Sequence, residues 1–212
     1  ASRSRRANLC RALPSGRSSH DVVVVGNKLV VVGGWQMKGK GEKSVWHETV
    51  QILALSAKDL KWESAPQPFQ RRALTAAAIG NKVYVLGGLG ADGKPTDIFD
   101  VETKKWSQGP ALPLEGKKAM AFSPSAATVG NRIVVNTTAG PFYRLTADGS
   151  GWEKVGAAES PRMVARLIAT GERSVLLVGG ASMGEGTVRT IEAVKLAEKG
   201  EPVKPAAPVE KK

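Results

Sequence analysis

At 212 residues with 42% hydrophobic side chains, the chain can bury one substantial core, and no run reaches the roughly 18 apolar residues of a membrane span. Its single cysteine, Cys10, rules out an internal disulfide and leaves the redox compartment undecided. A formal net charge of +12 implies solubility and a general attraction to anions.

Residues 1–8, with three arginines and little to bury, are expected to be a disordered basic segment. The chain begins at Ala1 without an initiator methionine, so it is read as a processed product or a piece of a longer protein. A signal peptide and the compartment stay unassigned. From His20 onward, a short apolar strand runs into a Gly-led turn and a second apolar strand four times over. The copies are His20 to Gly34, Ala76 to Gly88, Ala126 to Val135 and Leu167 to Gly180. The turns begin at Gly26, Gly80, Gly130 and Gly171, at spacings of 54, 50 and 41 residues, which marks an array of supersecondary units.

Gly-Asn between apolar runs suits a two-residue hairpin turn, with the glycine taking positive φ at the first central position. The runs Val22 to Val25 and Leu29 to Val32 are β-branched apart from Leu29, as expected for strands buried on both faces. The pairs Gly33-Gly34, Gly87-Gly88 and Gly179-Gly180 are expected to be structural, where neighbouring backbones approach closely. No phosphate-cradling Gly-x-x-x-x-Gly-Lys-Ser/Thr stretch is present. Residues 197–212 are rich in Pro, Ala, Lys and Glu and are expected to form a disordered tail.

These units resemble the kelch motif, the blade of kelch β-propellers, on four features. These are Arg17-Ser-Ser-His20 ahead of the first strand, the Gly-Asn-Lys turn, the glycine pair, and a Trp on the outer strand at Trp62, Trp106 and Trp152. The third unit has Thr137-Thr138 in place of the pair, and the fourth has no downstream Trp. The resemblance implies an all-β kelch-type propeller over residues 9–196, with about four four-stranded antiparallel blades. It is read as an incomplete arc of a larger propeller in preference to a closed four-bladed ring. The three tryptophans are expected to pack each blade against a neighbour. Leu9 to Gly16 resembles the end of the second unit from Trp106, so it is either the outer strand of the last blade or a remnant of an upstream one.

The residues available for chemistry are few. His20 is expected at the first position of an inner strand in a structural role, and His47 at the surface. No pair has a metal-ligand spacing, so neither a metal nor a cofactor is expected. Some kelch-like propellers are copper oxidases using two Tyr, two His and one Cys. Tyr84, Tyr143, His20, His47 and Cys10 match that count without matching its arrangement. Arg17, Arg72, Arg162, Arg166 and Glu185 could supply the converging Arg and Glu of a sugar-processing mouth.

The loops expected on one face are Trp35 to Lys43, Leu89 to Thr96, Thr137 to Pro141 and Ala181 to Thr187. They join lead-ins at Arg17, Arg71-Arg72, Lys117-Lys118 and Arg162. The longest is in the first unit, where turn and Trp are 36 residues apart (Gly26 to Trp62) against 26 in the second (Gly80 to Trp106). The opposite face is basic too, through Lys28, Lys61, Lys82, Lys104, Lys105 and Arg132, and aromatics are only 5% of the chain. That distribution disfavours a nucleic-acid groove.

The reading is a non-catalytic binding scaffold that presents Trp35, Lys38, Lys40, Lys43, Arg71, Arg72 and Arg162 to an acidic protein or other anionic partner. The alternative is an extracytoplasmic carbohydrate-active propeller acting on an acidic sugar, similar to sialic-acid mutarotases.

Overall fold

A computed structural model describes residues 12–90, 96–114, 121–184, 186–198 and 201–202. Every regular element among them is a strand. The first unit is β1 (Asp21–Val25), β2 (Lys28–Val32), the short pair β3 (Trp35–Gln36) and β4 (Val45–Trp46), then β5 (Thr49–Ala54) and β6 (Trp62–Pro66). The second is β7 (Thr75–Ile79), β8 (Lys82–Leu86), β9 (Thr96–Asp100) and β10 (Lys105–Gln108). The third is β11 (Ser125–Val129), β12 (Arg132–Asn136), β13 (Pro141–Leu145) and β14 (Trp152–Ala157). The fourth is β15 (Arg166–Gly171), β16 (Ser174–Val178), the short pair β17 (Ala181–Ser182) and β18 (Gly186–Thr187), and β19 (Ile191–Lys195).

Each unit is an antiparallel meander. The sheet orders are β1-β2-β5-β6, β7-β8-β9-β10, β11-β12-β13-β14 and β15-β16-β19, and the four sheets are arranged as the blades of a β-propeller. Three blades have four strands, and the fourth has three among the described residues. Residues 12–16 are irregular, and Leu9 to Arg11 lie outside the described residues.

The turns follow from their glycines in three blades. Val25 pairs with Lys28 across Gly26-Asn27, and Gly26 has φ +55. The fourth turn departs from that expectation. Gly171 pairs with Ser174 after an irregularity between Ala169 and Gly171, so the turn residues become Glu172-Arg173 and need no left-handed glycine.

Blades stack through three apolar clusters. Val30, Val32, Val50 and Ile52 of the first blade meet Ala76, Val83, Val85 and Phe99 of the second. Ala77 and Leu86 of the second meet Ile133, Val135 and Tyr143 of the third. Val134, Phe142 and Val155 of the third meet Leu167, Val175, Leu177 and Val194 of the fourth. Trp106 belongs to the first contact: its ring lies 4.8 Å from Phe99 and 5.3 Å from Phe69, and its Nε1 donates to Pro66 O of the preceding blade at 2.7 Å. Trp152 repeats the bond one blade on, donating to Pro110 O at 3.1 Å.

The expectation of burial on both faces fails for β1. Val22 is 40% and Val24 59% exposed, and neither joins an apolar cluster among the described residues.

Candidate functional site

Three arginines enter their blades in the same way. Arg17 Nη1 donates to Gly33 O and Thr49 O, both at 3.0 Å. Arg71 Nη1 donates to Gly87 O at 2.7 Å, and its Nη2 pairs with Asp97. Arg162 Nη1 donates to Gly179 O at 3.3 Å and Thr190 O at 3.0 Å, and its Nη2 pairs with Glu192. Each guanidinium thereby ties the end of the second strand to the third. Arg71 is 0% and Arg162 2% exposed. Two of the cations expected on the binding face therefore sit inside the fold as clamps, already neutralised by carboxylates of their own blades.

The glycine pairs take the space beside these clamps. A Cβ on Gly34, at φ +89, would sit 2.7 Å from Ser18 O and 2.9 Å from His20 Cβ. Gly34 N instead donates to Arg71 O of the next blade at 2.7 Å, and Gly88 N does the same to Ala121 O.

On the loop face of the first blade, Trp35 and Trp46 lie opposite each other across β3–β4, with ring centroids 5.6 Å apart and planes tilted by 42°. Trp35 is held by main-chain bonds in both directions with Ser18, at 2.8 and 3.1 Å. The Arg72 guanidinium lies 4.2 Å from the Trp35 ring centroid, a cation–π stack across the junction of the first two blades. Trp46 reaches the same junction, within 3.2 Å of where a side chain on Gly90 would begin. Lys38, Lys40 and Lys43 are exposed in the loop between β3 and β4. The structure thus brings Trp35 and Arg72 together and sets the three lysines beside them on one loop. Residues 91–95, Glu115, Lys117, Lys118, Glu185 and Cys10 lie outside the described residues.

His47, expected at the surface, is 8% exposed, and its Nε2 lies 3.1 Å from Gly16 O. Burial lowers its pKa, and the neighbouring Arg17 lowers it further. His20 is lowered by the same two causes in the same order, with Asp21 opposing. Burial pulls Arg17 itself down to about 10. Arg17 Nε and Nη2, His20 Nδ1 and Trp35 Nε1 are buried without a hydrogen-bond partner among the described residues.

The mouth of the central axis was not legible from the motifs. Ser19, Ala73, Ser123 and Val164 have φ of 54, 51, 46 and 52°, left-handed in all four blades although none is glycine. Ala73 N donates to Ser19 O at 2.8 Å and Ser123 N to Ala73 O at 2.7 Å, so the rim is stitched from blade to blade. It surrounds a cavity of about 210 Å³ lined by His20, Asp21, Thr75, Ser123 and Arg166 among others. Arg166 crosses from the fourth inner strand to Asp21 of the first at 3.2 Å. The four rim residues have no one side-chain type in common, and their signals are that they repeat at the interval of the turns and that Ser19, Ala73 and Val164 each stand two residues after a clamp arginine.

Blades of this order and a lead-in Arg clamp define a kelch-type propeller, and comparison with known proteins agrees. The Kelch motif family matches residues 16–47 and 70–113. Human Kelch repeat and BTB domain-containing protein 12 is 27% identical over 136 residues, 58% of this chain and 22% of that protein. Human Kelch-like protein 34 is 28% identical over 140 residues, 62% of this chain and 21% of that protein. The tRNA wybutosine-synthesizing protein 2/3/4 of Oryza sativa subsp. japonica is 32% identical over 102 residues, 44% of this chain and 9% of that protein. The chain carries kelch motifs over those two stretches and is similar to kelch-repeat proteins. It spans about a fifth of the length of the two human relatives.

Proposed function

We propose that this chain is a non-catalytic binding scaffold whose first-blade loop face captures an acidic protein partner. The observation that carries the reading is the Arg72–Trp35 stack, at 4.2 Å, beside the exposed Lys38, Lys40 and Lys43. An aromatic anchor with a guanidinium over its face is a common centre for a protein interface, and lysines around it steer an oppositely charged partner. The likeness to kelch-repeat proteins supports a protein ligand. Arg71 and Arg162 serve this face from within, by fixing the blades that carry it.

The test is a peptide array of acidic, neutral and basic sequences probed with the intact chain at ~50 and ~300 mM salt. Capture should concentrate on acidic peptides and weaken with salt. It should fall at least tenfold for Trp35→Ala and for the triple change of Lys38, Lys40 and Lys43 to Glu. Capture that ignores peptide charge, or that survives both variants, overturns the reading.

A further inference from the structure

We infer that the β3–β4 hairpin of the first blade is an acid-released element: a proton on the buried His47 sets a second cation beside Arg17, which no carboxylate meets, and frees the hairpin with Trp35 and Trp46 from residues 16–18. Hairpin and lead-in meet at few points. Ser18 and Trp35 exchange main-chain bonds at 2.8 and 3.1 Å, and His47 N donates to Gly34 O at 3.3 Å. The two-residue strands β3 and β4 form a sheet of their own. His47 follows β4 directly, so its ring stands at the base of the hairpin. Its Nε2 lies 3.1 Å from Gly16 O, a carbonyl that only accepts. The neutral ring therefore carries its hydrogen on Nε2, and a further proton goes to Nδ1.

The groups around that ring carry one sign of charge. Arg17 faces it from the lead-in, and His20 from the residue before β1. The strand position that supplies Asp97 to Arg71 and Glu192 to Arg162 holds the neutral Gln51 in this blade. Asp21, the acid beside His20, already accepts from Val22 N, Thr75, Ala76 N and Arg166. Glu48, next to His47 in sequence, is exposed and accepts from Gln70. Residues 1–16 contain no Asp or Glu.

A proton on His47 thus adds charge to a buried arginine that has no acid to share, and water is the cheapest place for it. Opening the hairpin rehydrates the ring, so acid favours the open form. Burial first and Arg17 second lower the His47 pKa, which is the same coupling seen from the proton's side. One histidine sets the scale. With an ordinary pKa of about 6.5 in the open form, it can raise the open population at most about tenfold between about pH 7.5 and 5.5. The release belongs to the chain alone and needs no partner on the face.

The experiment is hydrogen exchange on the intact chain at those two pH values, read segment by segment and corrected for the intrinsic rate. Residues 16–18 and 35–47 should lose protection about three- to tenfold in acid, while β8, β12 and β16 keep theirs. His47→Gln, whose amide can still donate to Gly16 O, should abolish the response. Gln51→Glu should shrink it by giving Arg17 a carboxylate, and His20→Gln should leave most of it. Loss of protection spread evenly over the four blades overturns the inference, as does its absence. So does a response that survives His47→Gln or that disappears with His20→Gln instead. Far-UV circular dichroism checks each fold. If His47→Gln does not fold, an undiminished response in Gln51→Glu overturns the inference by itself. Peptide capture plays no part in this readout, so it can fail while the binding reading holds, and the reverse.

Discussion

Gln51 in the first blade occupies the strand position that Asp97 holds in the second: Gln51 pairs with Val31 as Asp97 pairs with Val85. Glu192 has that position in the fourth, opposite Leu177. Arg17 therefore enters its blade as Arg71 and Arg162 do, but without a carboxylate to meet it. Two of its nitrogens are left buried and unpartnered, and burial lowers its pKa to about 10. Replacing Gln51 by Glu should supply the missing charge. We expect a gain of about 1–2 kcal/mol from one charge-assisted bond, less the lost contacts of Gln51 with Thr49 and Ser64. Urea unfolding measures it, and an unchanged or lower midpoint would show that Arg17 needs no counter-charge.

The converse holds in the second blade. Arg71→Met leaves the buried Asp97 without its counter-charge, bonded still by Gln108 Nε2 at 2.6 Å, and should cost about 3–5 kcal/mol, whereas Arg71→Met with Asp97→Leu should recover most of that loss. A double-mutant cycle on thermal unfolding gives the coupling directly. Additive costs would mean that the clamp acts through its bond to Gly87 O and its stacking on the Phe69 ring, 3.9 Å away, and not through Asp97.

Stability should fall in mild acid. Both histidines have folded pKa values below the ordinary 6.5, chiefly through burial. The unfolded chain then binds more protons over the interval below 6.5, so stability is lost as pH falls from that value towards the folded pKa. His47→Gln should flatten part of the decline between about pH 7 and 5. Unfolding midpoints across that range are the measurement, and a parent whose stability is level would contradict the burial of both rings.

Trp106→Ala removes a ring packed on Phe69 and Phe99 and its bond to Pro66 O. The ring is partly exposed, so the cost should lie near the lower end of the usual range, about 3 kcal/mol. That corresponds to a drop of roughly 6–12 °C in Tm for a domain of this size. Calorimetry showing no change would exclude a structural role.

Val164 is 62% exposed at φ 52°, a conformation that a β-branched side chain resists. Val164→Gly gives up little buried area and should stabilise by about 1 kcal/mol, read as a higher Tm. A lower Tm would show that Val164 contributes packing that outweighs its backbone strain.

The sequence showed what depends on chain-local pattern: the turns at Gly26, Gly80 and Gly130, the strand order, and the tryptophans at the ends of their blades. It misplaced what depends on the neighbour. Val22 and Val24 read as buried because β-branching records a strand's preference and says nothing of whether a blade lies against it. Arg71 and Arg162 read as surface cations because their acids, Asp97 and Glu192, are 26 and 30 residues away in sequence and one strand away in space. A signal existed, since the three clamp arginines precede their glycines by 16, 16 and 17 residues. The burial of His47 had none, because its partner is the carbonyl of Gly16, in a loop before the first strand.

The rim of the axis is spaced by amide-to-carbonyl bonds between Ser19, Ala73 and Ser123. From the first blade to the third its spacing is therefore indifferent to the side chains standing on it, whereas the step to the fourth runs from Val164 N to Ser123 Oγ at 3.2 Å and depends on that serine. Such a collar can be re-lettered at Ser19 and Ala73 without being re-sized, and new recognition chemistry could be written at these two positions while the blades below keep their places.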